Sequence, residues 1–175
     1  MLLHMMQLGT YPLDEVVYCD TSIEFPDMYE HIRKIQHEVE KRNIKFTILK
    51  AEHDFEYYLL KQPIKSRKGN IKKGYSWATS NCRWCTSILK TDLLKKYFKE
   101  LKRTKNVMTY IGLAYDEQYR LKRKNNQNEE HLHPLVDWKW LEKDCLTYCY
   151  EHGYDWGGYM QSLTGLPVGV VLCNP

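Results

Sequence analysis

Apolar positions recur along this chain with two different periods, and together they predict alternating helices and strands. Leu2, Leu3, Met5, Met6 and Leu8, followed by Gly9, read as the last turns of an apolar helix with a glycine stop. No start signal precedes them, so the chain is expected to open inside that helix. Val16-Val17-Tyr18-Cys19 reads as a buried strand, and Phe46-Thr47-Ile48-Leu49 as a second. Between them, Asp27 to Arg42 is an amphipathic helix with Met28, Ile32, Ile35 and Val39 at helical spacing. A polar, basic connection with a short helix near Asp54 to Leu60 leads to a helix from Thr86 to Leu101. The apolar side of that helix is Ile88, Leu89, Leu93, Leu94, Tyr97, Phe98 and Leu101. Val107 to Ala114 is a third strand, and Asn125 to Glu130 a polar loop. Pro134-Leu135-Val136-Asp137-Trp138 introduces a helix from Lys139 to His152, with Gly153 beyond its end.

This alternation predicts the α/β class: a mainly parallel sheet with right-handed crossovers and helices on both faces. Ligands in such folds collect at the carboxyl ends of the strands. Asp20 and Thr21 follow the first strand, and Asp116, Glu117 and Arg120 follow the third, so they are expected to converge there.

A length of 175 residues suits one domain. The hydrophobic share of 43% and aromatic share of 13% indicate a folded globule. A mean hydropathy of -0.62 and the lack of a long apolar run argue against a membrane span. Residues Met1 to Leu8 have neither the length, the basic start nor the cleavage site of a signal peptide, so a cytoplasmic location is expected. Six cysteines without an export signal are expected to be reduced. Cys145 and Cys149, four apart on a helix, and Cys19, at a strand end, read as small buried apolar side chains. The net charge of +4 is modest, yet Lys61, Lys65, Arg67, Lys68, Lys72 and Lys73 form a run without an acidic residue. The first reading of that run is a solvated loop; the second is a collar for an anionic substrate or nucleic acid.

The densest chemistry lies in Asn81-Cys82-Arg83-Trp84-Cys85-Thr86-Ser87-Ile88-Leu89-Lys90. A helix starting near Thr86 offers free backbone N–H groups to an anion. Arg83 adds a bidentate fork and Lys90 a point charge, while Trp84 reads as packing. Cys82 and Cys85 are at most half a metal site, because zinc or an iron–sulfur cluster needs about four ligands.

Three blocks carry a family resemblance. Residues 83 to 90 fit Arg-Trp-Cys-Thr-x-x-x-Lys, while Gly112, Asp116, Glu117 and Arg120 fit Gly-x-x-x-Asp-Glu-x-x-Arg. Pro134, Leu135 and Trp138 fit Pro-Leu-x-x-Trp. From about Met1 to Gly158 the chain resembles the phosphoadenosine phosphosulfate (PAPS) reductase family of PP-loop adenine-nucleotide enzymes. The resemblance implies that Arg83, Thr86, Lys90 and Arg120 contact a phosphate or sulfate, and that Asp20, Thr21, Asp116 and Glu117 line the nucleotide pocket. It further implies an adenine sulfonucleotide or ATP-like ligand, a dithiol reductant such as thioredoxin, and sulfonucleotide reduction or related sulfur transfer. The other reading of Arg120 is a surface ion pair with Asp116 or Glu117.

Two departures accompany the matches. The family's phosphate-gripping Ser-Gly-Gly-x-Asp-Ser loop and its preceding strand lie before the helix in which this chain begins. Without that central strand, its neighbours would keep unpaired backbone groups, each costing on the order of 1–3 kcal/mol if buried. The two strands are expected to stand apart or to close on one another. Beyond Gly158 the family continues Leu-Tyr-x-x-Phe-x-Arg-Val-Ser-Cys-Trp-Cys-Cys-Pro. The codons permitted for residues 159–175, read one base earlier, allow nearly that peptide. The expectation is therefore a partial PP-loop domain over 1–158 and an out-of-frame, poorly anchored tail over 159–175, in which Cys173 is incidental. The missing cysteines would have partnered Cys82 and Cys85 in an iron–sulfur or zinc site of the intact ancestor. Little or no catalysis is expected of the chain, and the alternative is a non-catalytic nucleotide or nucleic-acid binding module with a basic face at Lys61–Lys73, Arg83 and Lys90.

Overall fold

The first helix ends where its glycine predicts: α1 (Leu2–Leu8) stops at Gly9, whose φ of 63° lets its N–H reach the Met5 carbonyl at 3.0 Å. The computed structural model describes residues 1–66, 69–79, 82–121, 131–155 and the backbone of 171–174. The predicted loop at 125–130 and most of the tail lie outside the described residues. So do Arg67 and Lys68 of the basic run.

The elements are β1 (Glu15–Asp20), α2 (Pro26–Glu40), β2 (Lys45–Lys50), β3 (Pro63–Lys65), β4 (Ile71–Lys73), α3 (Trp84–Thr86), α4 (Asp92–Leu101), β5 (Met108–Ile111), β6 (His131–Leu132), α5 (Pro134–Asp137), α6 (Glu142–Glu151) and β7 (Val171–Asn174). The main sheet has the order β2-β1-β7-β5-β6. β5 and β6 are parallel, and β1 and β5 each run antiparallel to β7, so β1, β5 and β6 share one direction. The class is α/β, as the alternation predicts.

β7 is the correction. β1 and β5 neither stand apart nor close on each other, because Val171–Asn174 lies between them and pairs with both. Val16 and Tyr110 both face Leu172 in register, and Val17 and Ile111 both face Val171. The tail is thus hydrogen-bonded into the sheet over these four residues, against the expectation of a loose end. Two strands with unpaired inner edges are a template for any segment of strand propensity, and Val171-Leu172 supplies one.

The chain gathers into two compact units, one of residues 1–17, 26–47 and 105–175, the other of 18–25 and 48–104. In the first, Leu2, Met5, Val16, Val39 and Tyr110 form the buried core. α2 starts with Pro26 and Asp27, which suit a helix N-terminus, and buries Ile32 and Val39 at helical spacing. Glu15, buried in this unit, accepts from the Thr47 hydroxyl and pairs with Lys45 at 2.8 Å. The helix expected to start at Lys139 starts instead at Glu142. Lys139 takes a φ of 57°, and Asp144 Oδ2 accepts the Leu141 N–H at 2.9 Å, capping the new start.

In the second unit, the basic run whose first reading is a solvated loop holds the antiparallel hairpin β3–β4, with Ile64 opposite Lys72. A π-helical turn, Tyr57–Lys61, occupies the predicted short helix. Gly74, with φ 70°, brings the chain back against it. A Cβ there would run into the Leu59 carbonyl, so only glycine fits.

Candidate functional site

The turn at the end of β1 is held by short polar contacts. Asp20 pairs through Oδ2 with Lys50 at 2.8 Å, and its Oδ1 accepts the Ser22 N–H at 2.9 Å. That side-chain turn fixes Ser22 at a φ of 61°. Thr21 is buried and donates from Oγ1 to Glu24 Oε1 at 2.9 Å. Ser22 Oγ donates to the Thr21 carbonyl at 2.6 Å and accepts the Phe55 N–H at 2.8 Å. Asp20 and Thr21 therefore shape this loop, and Phe55 is fastened to it.

Phe55 leads to Trp84. The two rings lie 5.0 Å apart, and Tyr75 stacks on Trp84 at 5.4 Å with 18° between planes. Trp84 is buried, and its indole N–H donates to the Ser76 carbonyl at 3.0 Å. An indole with packed faces and a satisfied N–H is a rigid anchor. It heads a helix that begins two residues earlier than predicted, with Arg83 as its first flanking residue. Thr86 falls within α3, and Lys90 lies in a π turn, Ser87–Thr91, that joins α3 to α4. π turns recur at functional sites. Arg83, Thr86 and Lys90 are exposed, whereas Leu89 is buried. The Cys19 thiol, at the end of β1, points at the Lys90 carbonyl from 3.9 Å. The second unit thus brings Asp20, Thr21, Arg83, Thr86 and Lys90 into one connected framework.

Cys82 is exposed and its N–H bonds Thr79, with the carbonyl at 3.1 Å and the hydroxyl at 3.2 Å. Cys85 is half-buried. Among the described residues, no group of three or more His, Cys, Asp or Glu could hold a metal ion. Two thiols alone do not fit zinc or an iron–sulfur cluster, and no step is routed through one. Burial pushes the Cys19 thiol up to about 11, against the opposing pull of the Lys90 ammonium. Burial also raises Cys145 and Cys149, so all three favour the neutral thiol.

Asp116, Glu117 and Arg120 belong to the first unit, on a 3-10 turn, Tyr115–Arg120. The Tyr115 N–H donates to the Trp140 carbonyl at 2.8 Å, fixing the turn's start. Arg120 Nη1 pairs with Glu117 Oε1 at 2.6 Å, and both side chains are partly exposed.

The first unit also holds a cleft of about 360 Å³, lined by Asp27, Glu30, His31, Lys34, Gly153, Tyr154 and Asp155, that sequence reasoning missed. Lys34 Nζ donates to the Gly153 carbonyl at 2.6 Å and sits 4.3 Å over the Tyr154 ring. Burial, helped by Lys34, pushes His31 down to about 4. The spacing of Asp27, Glu30, His31 and Lys34 on one helix face was the available signal; the return of Gly153 and Tyr154 against that face carries none.

No helix among the described residues is long and apolar enough to cross a membrane. In comparison with known proteins, the chain is 26% identical over 156 residues to the uncharacterized protein MJ0973 of Methanocaldococcus jannaschii, a match covering 81% of this chain and 33% of that protein. The chain thus spans about a third of the length of the curated relative it matches. No solved structure matches it. The phosphoadenosine phosphosulfate reductase domain family matches residues 1–156, nearly the whole described sequence and all three of its motif blocks, and the chain belongs to that family.

Proposed function

We infer that this chain holds the phosphate or sulfate end of an adenine nucleotide, as an adenine sulfonucleotide or an ATP-like ligand. Arg83, Thr86 and Lys90 contact the anion, and the Asp20–Thr21 loop lines the pocket. One observation carries the reading: the contacts from Ser22 through Phe55 to Trp84 join the loop after β1 to the helix headed by Arg83. Strand ends of α/β sheets are where such ligands collect, and the anchored indole of Trp84, the residue after Arg83, supplies preorganisation. Within the first unit, Arg120 is the cation that the family motif assigns to an anion, and there it pairs with Glu117.

The reaction class is sulfonucleotide reduction or a related sulfur transfer, with a thioredoxin-type dithiol as reductant. Such chemistry needs a thiolate, and Cys19, Cys145 and Cys149 are all held toward the neutral thiol by burial. Cys82 is exposed, but residues 159–175 lack the Cys-Trp-Cys-Cys of the family tail, and little or no turnover is expected of this chain. Titration calorimetry with adenosine 5′-phosphosulfate, ATP and adenosine tests the reading: the two anions bind and adenosine binds at least tenfold more weakly. Equal affinity for adenosine would contradict the anion site. Sulfite release in the presence of reduced thioredoxin would contradict the lack of turnover.

A further inference from the structure

We propose that the second unit carries a surface for single-stranded nucleic acid, built from the β3–β4 hairpin and Trp77. Charge is the first ground. Residues 18–25 and 48–104 hold fourteen Lys and Arg against seven Asp and Glu, a net of +7, within a chain whose total is +4. The remaining residues therefore carry a net of -3, and the positive charge is concentrated where a phosphate backbone would be drawn.

The hairpin arranges that charge. Pro63 lies opposite Lys73, and Lys65 opposite Ile71, so the strand period places Lys65, Lys73 and Ile71 on one face and Lys72 on the other. All three lysines are exposed. None of them joins an ion pair among the described residues, in contrast with Lys61, which pairs with Glu56, and Lys50, which pairs with Asp20. Ile71, between the two ammonium groups of its face, is 72% exposed.

Trp77 is the second ground, and it is independent of charge. Its indole is 70% exposed, whereas tryptophan in folded proteins is mostly buried. The stem beneath it is nevertheless fixed. Ser76 takes a left-handed φ of 65°, its N–H donates to the Leu59 carbonyl at 3.3 Å, and its carbonyl accepts the Trp84 indole N–H at 3.0 Å. Phe55 makes a T-shaped contact with the Trp77 ring at 6.2 Å. Left-handed backbone at a serine is strained and persists only where its surroundings impose it. The backbone that carries this exposed ring is thus held on both sides, and exposing a large aromatic ring is something folding alone does not reward.

An unpaired base stacking on the indole supplies the missing interaction, and the hairpin lysines take the adjoining phosphates. Trp77 is four residues past Lys73, so the two Cα atoms lie within about 14 Å of each other. A duplex keeps its bases stacked and offers the ring nothing. An acidic peptide satisfies the lysines but brings no planar partner to the indole. The surface uses neither Arg83 nor Lys90, so it stands or falls apart from the nucleotide site.

Fluorescence anisotropy of a labelled 16-residue oligothymidylate with the full chain, from 20 to 200 mM salt, tests the proposal. Binding is expected, with a slope of log affinity on log salt of about -0.7 for each phosphate engaged. Trp77→Ala should weaken binding about tenfold, Trp77→Phe should retain most of it, and Lys65→Gln with Lys73→Gln should shrink the salt slope by about 1.4. Circular dichroism confirms folding of each variant, and the lysine pair decides the matter should Trp77→Ala fail to fold. No binding at 20 mM salt, an affinity untouched by Trp77→Ala, or equal binding of a duplex would overturn the proposal. Displacement by polyglutamate as effective as by unlabelled oligothymidylate would overturn it too, in favour of an acidic protein partner.

Discussion

The Cys19 thiol lies 3.9 Å from the carbonyl oxygen of Lys90, tying the end of β1 to the π turn that follows Arg83. The contact is weak as a hydrogen bond, but it fixes where Lys90 starts from. Cys19 is half-buried there, and burial pushes that thiol up to about 11.

Thiol reactivity should follow this ordering. In a Cys173→Ser background at pH 8, a chromogenic disulfide reagent should modify Cys82 first, because it is exposed. Cys19, Cys145 and Cys149 should react only as the protein unfolds. Mass mapping of the first modified site checks the order, and Cys19 labelling in the native state would contradict it.

Trp84 supports the candidate site through its packing with Phe55 and Tyr75 and its bond to the Ser76 carbonyl. Trp84→Ala should cost about 3–5 kcal/mol in denaturant unfolding. Trp84→Phe keeps much of the packing and loses the hydrogen bond, worth about 1 kcal/mol. An exposed control, Thr86→Ala, should change stability by less than about 0.5 kcal/mol.

The tail strand gives the sharpest stability prediction. Removing residues 159–175 leaves the inner edges of β1 and β5 unpaired, with Val16 and Tyr110 beside the opening. The loss should be several kcal/mol, which for a chain of this size lowers the melting temperature by about 10 °C or more. An unchanged melting curve would mean that the strand contributes nothing to the folded state.

Legibility in the sequence followed the physics of each element. The α2 helix was readable because Ile32 and Val39 repeat at the helical period and bury one face. The stop at Gly9 was readable because a left-handed residue favours glycine. The β3–β4 hairpin was hidden: its strands have three residues each, and lysines interrupt any apolar alternation. The π turn at Ser87–Thr91 has no sequence period of its own, so the helix read as uninterrupted. The insertion of Val171–Asn174 depends on two distant strands having unpaired edges, a tertiary condition that local pattern does not carry. At the candidate site the residue types were legible from their motifs, while the Ser22–Phe55–Trp84 connection, which depends on a backbone N–H and a ring packing, was not.

Acid should weaken the first unit through His31. Burial and Lys34 lower its folded value to about 4, below the ordinary histidine range near 6.5. Between these values the unfolded chain binds more protons than the folded one, so stability rises with pH there and is lost as pH falls from about 6.5 to 4. His31→Gln should flatten that part of the profile of melting temperature against pH. An equally steep profile in the variant would show that other groups, such as His4 and His133, whose values burial also lowers, carry the effect.

Arg83 is the residue inferred to meet the anionic end of an adenine nucleotide. Calorimetric titration of adenosine 5′-phosphosulfate into wild type and Arg83→Ala tests it most directly, since a charge-assisted bidentate contact is worth about 1.5–3 kcal/mol. Binding is expected to be at least tenfold weaker in Arg83→Ala, with adenosine bound equally by both proteins. Unchanged affinity for the phosphosulfate in a folded Arg83→Ala variant would contradict it.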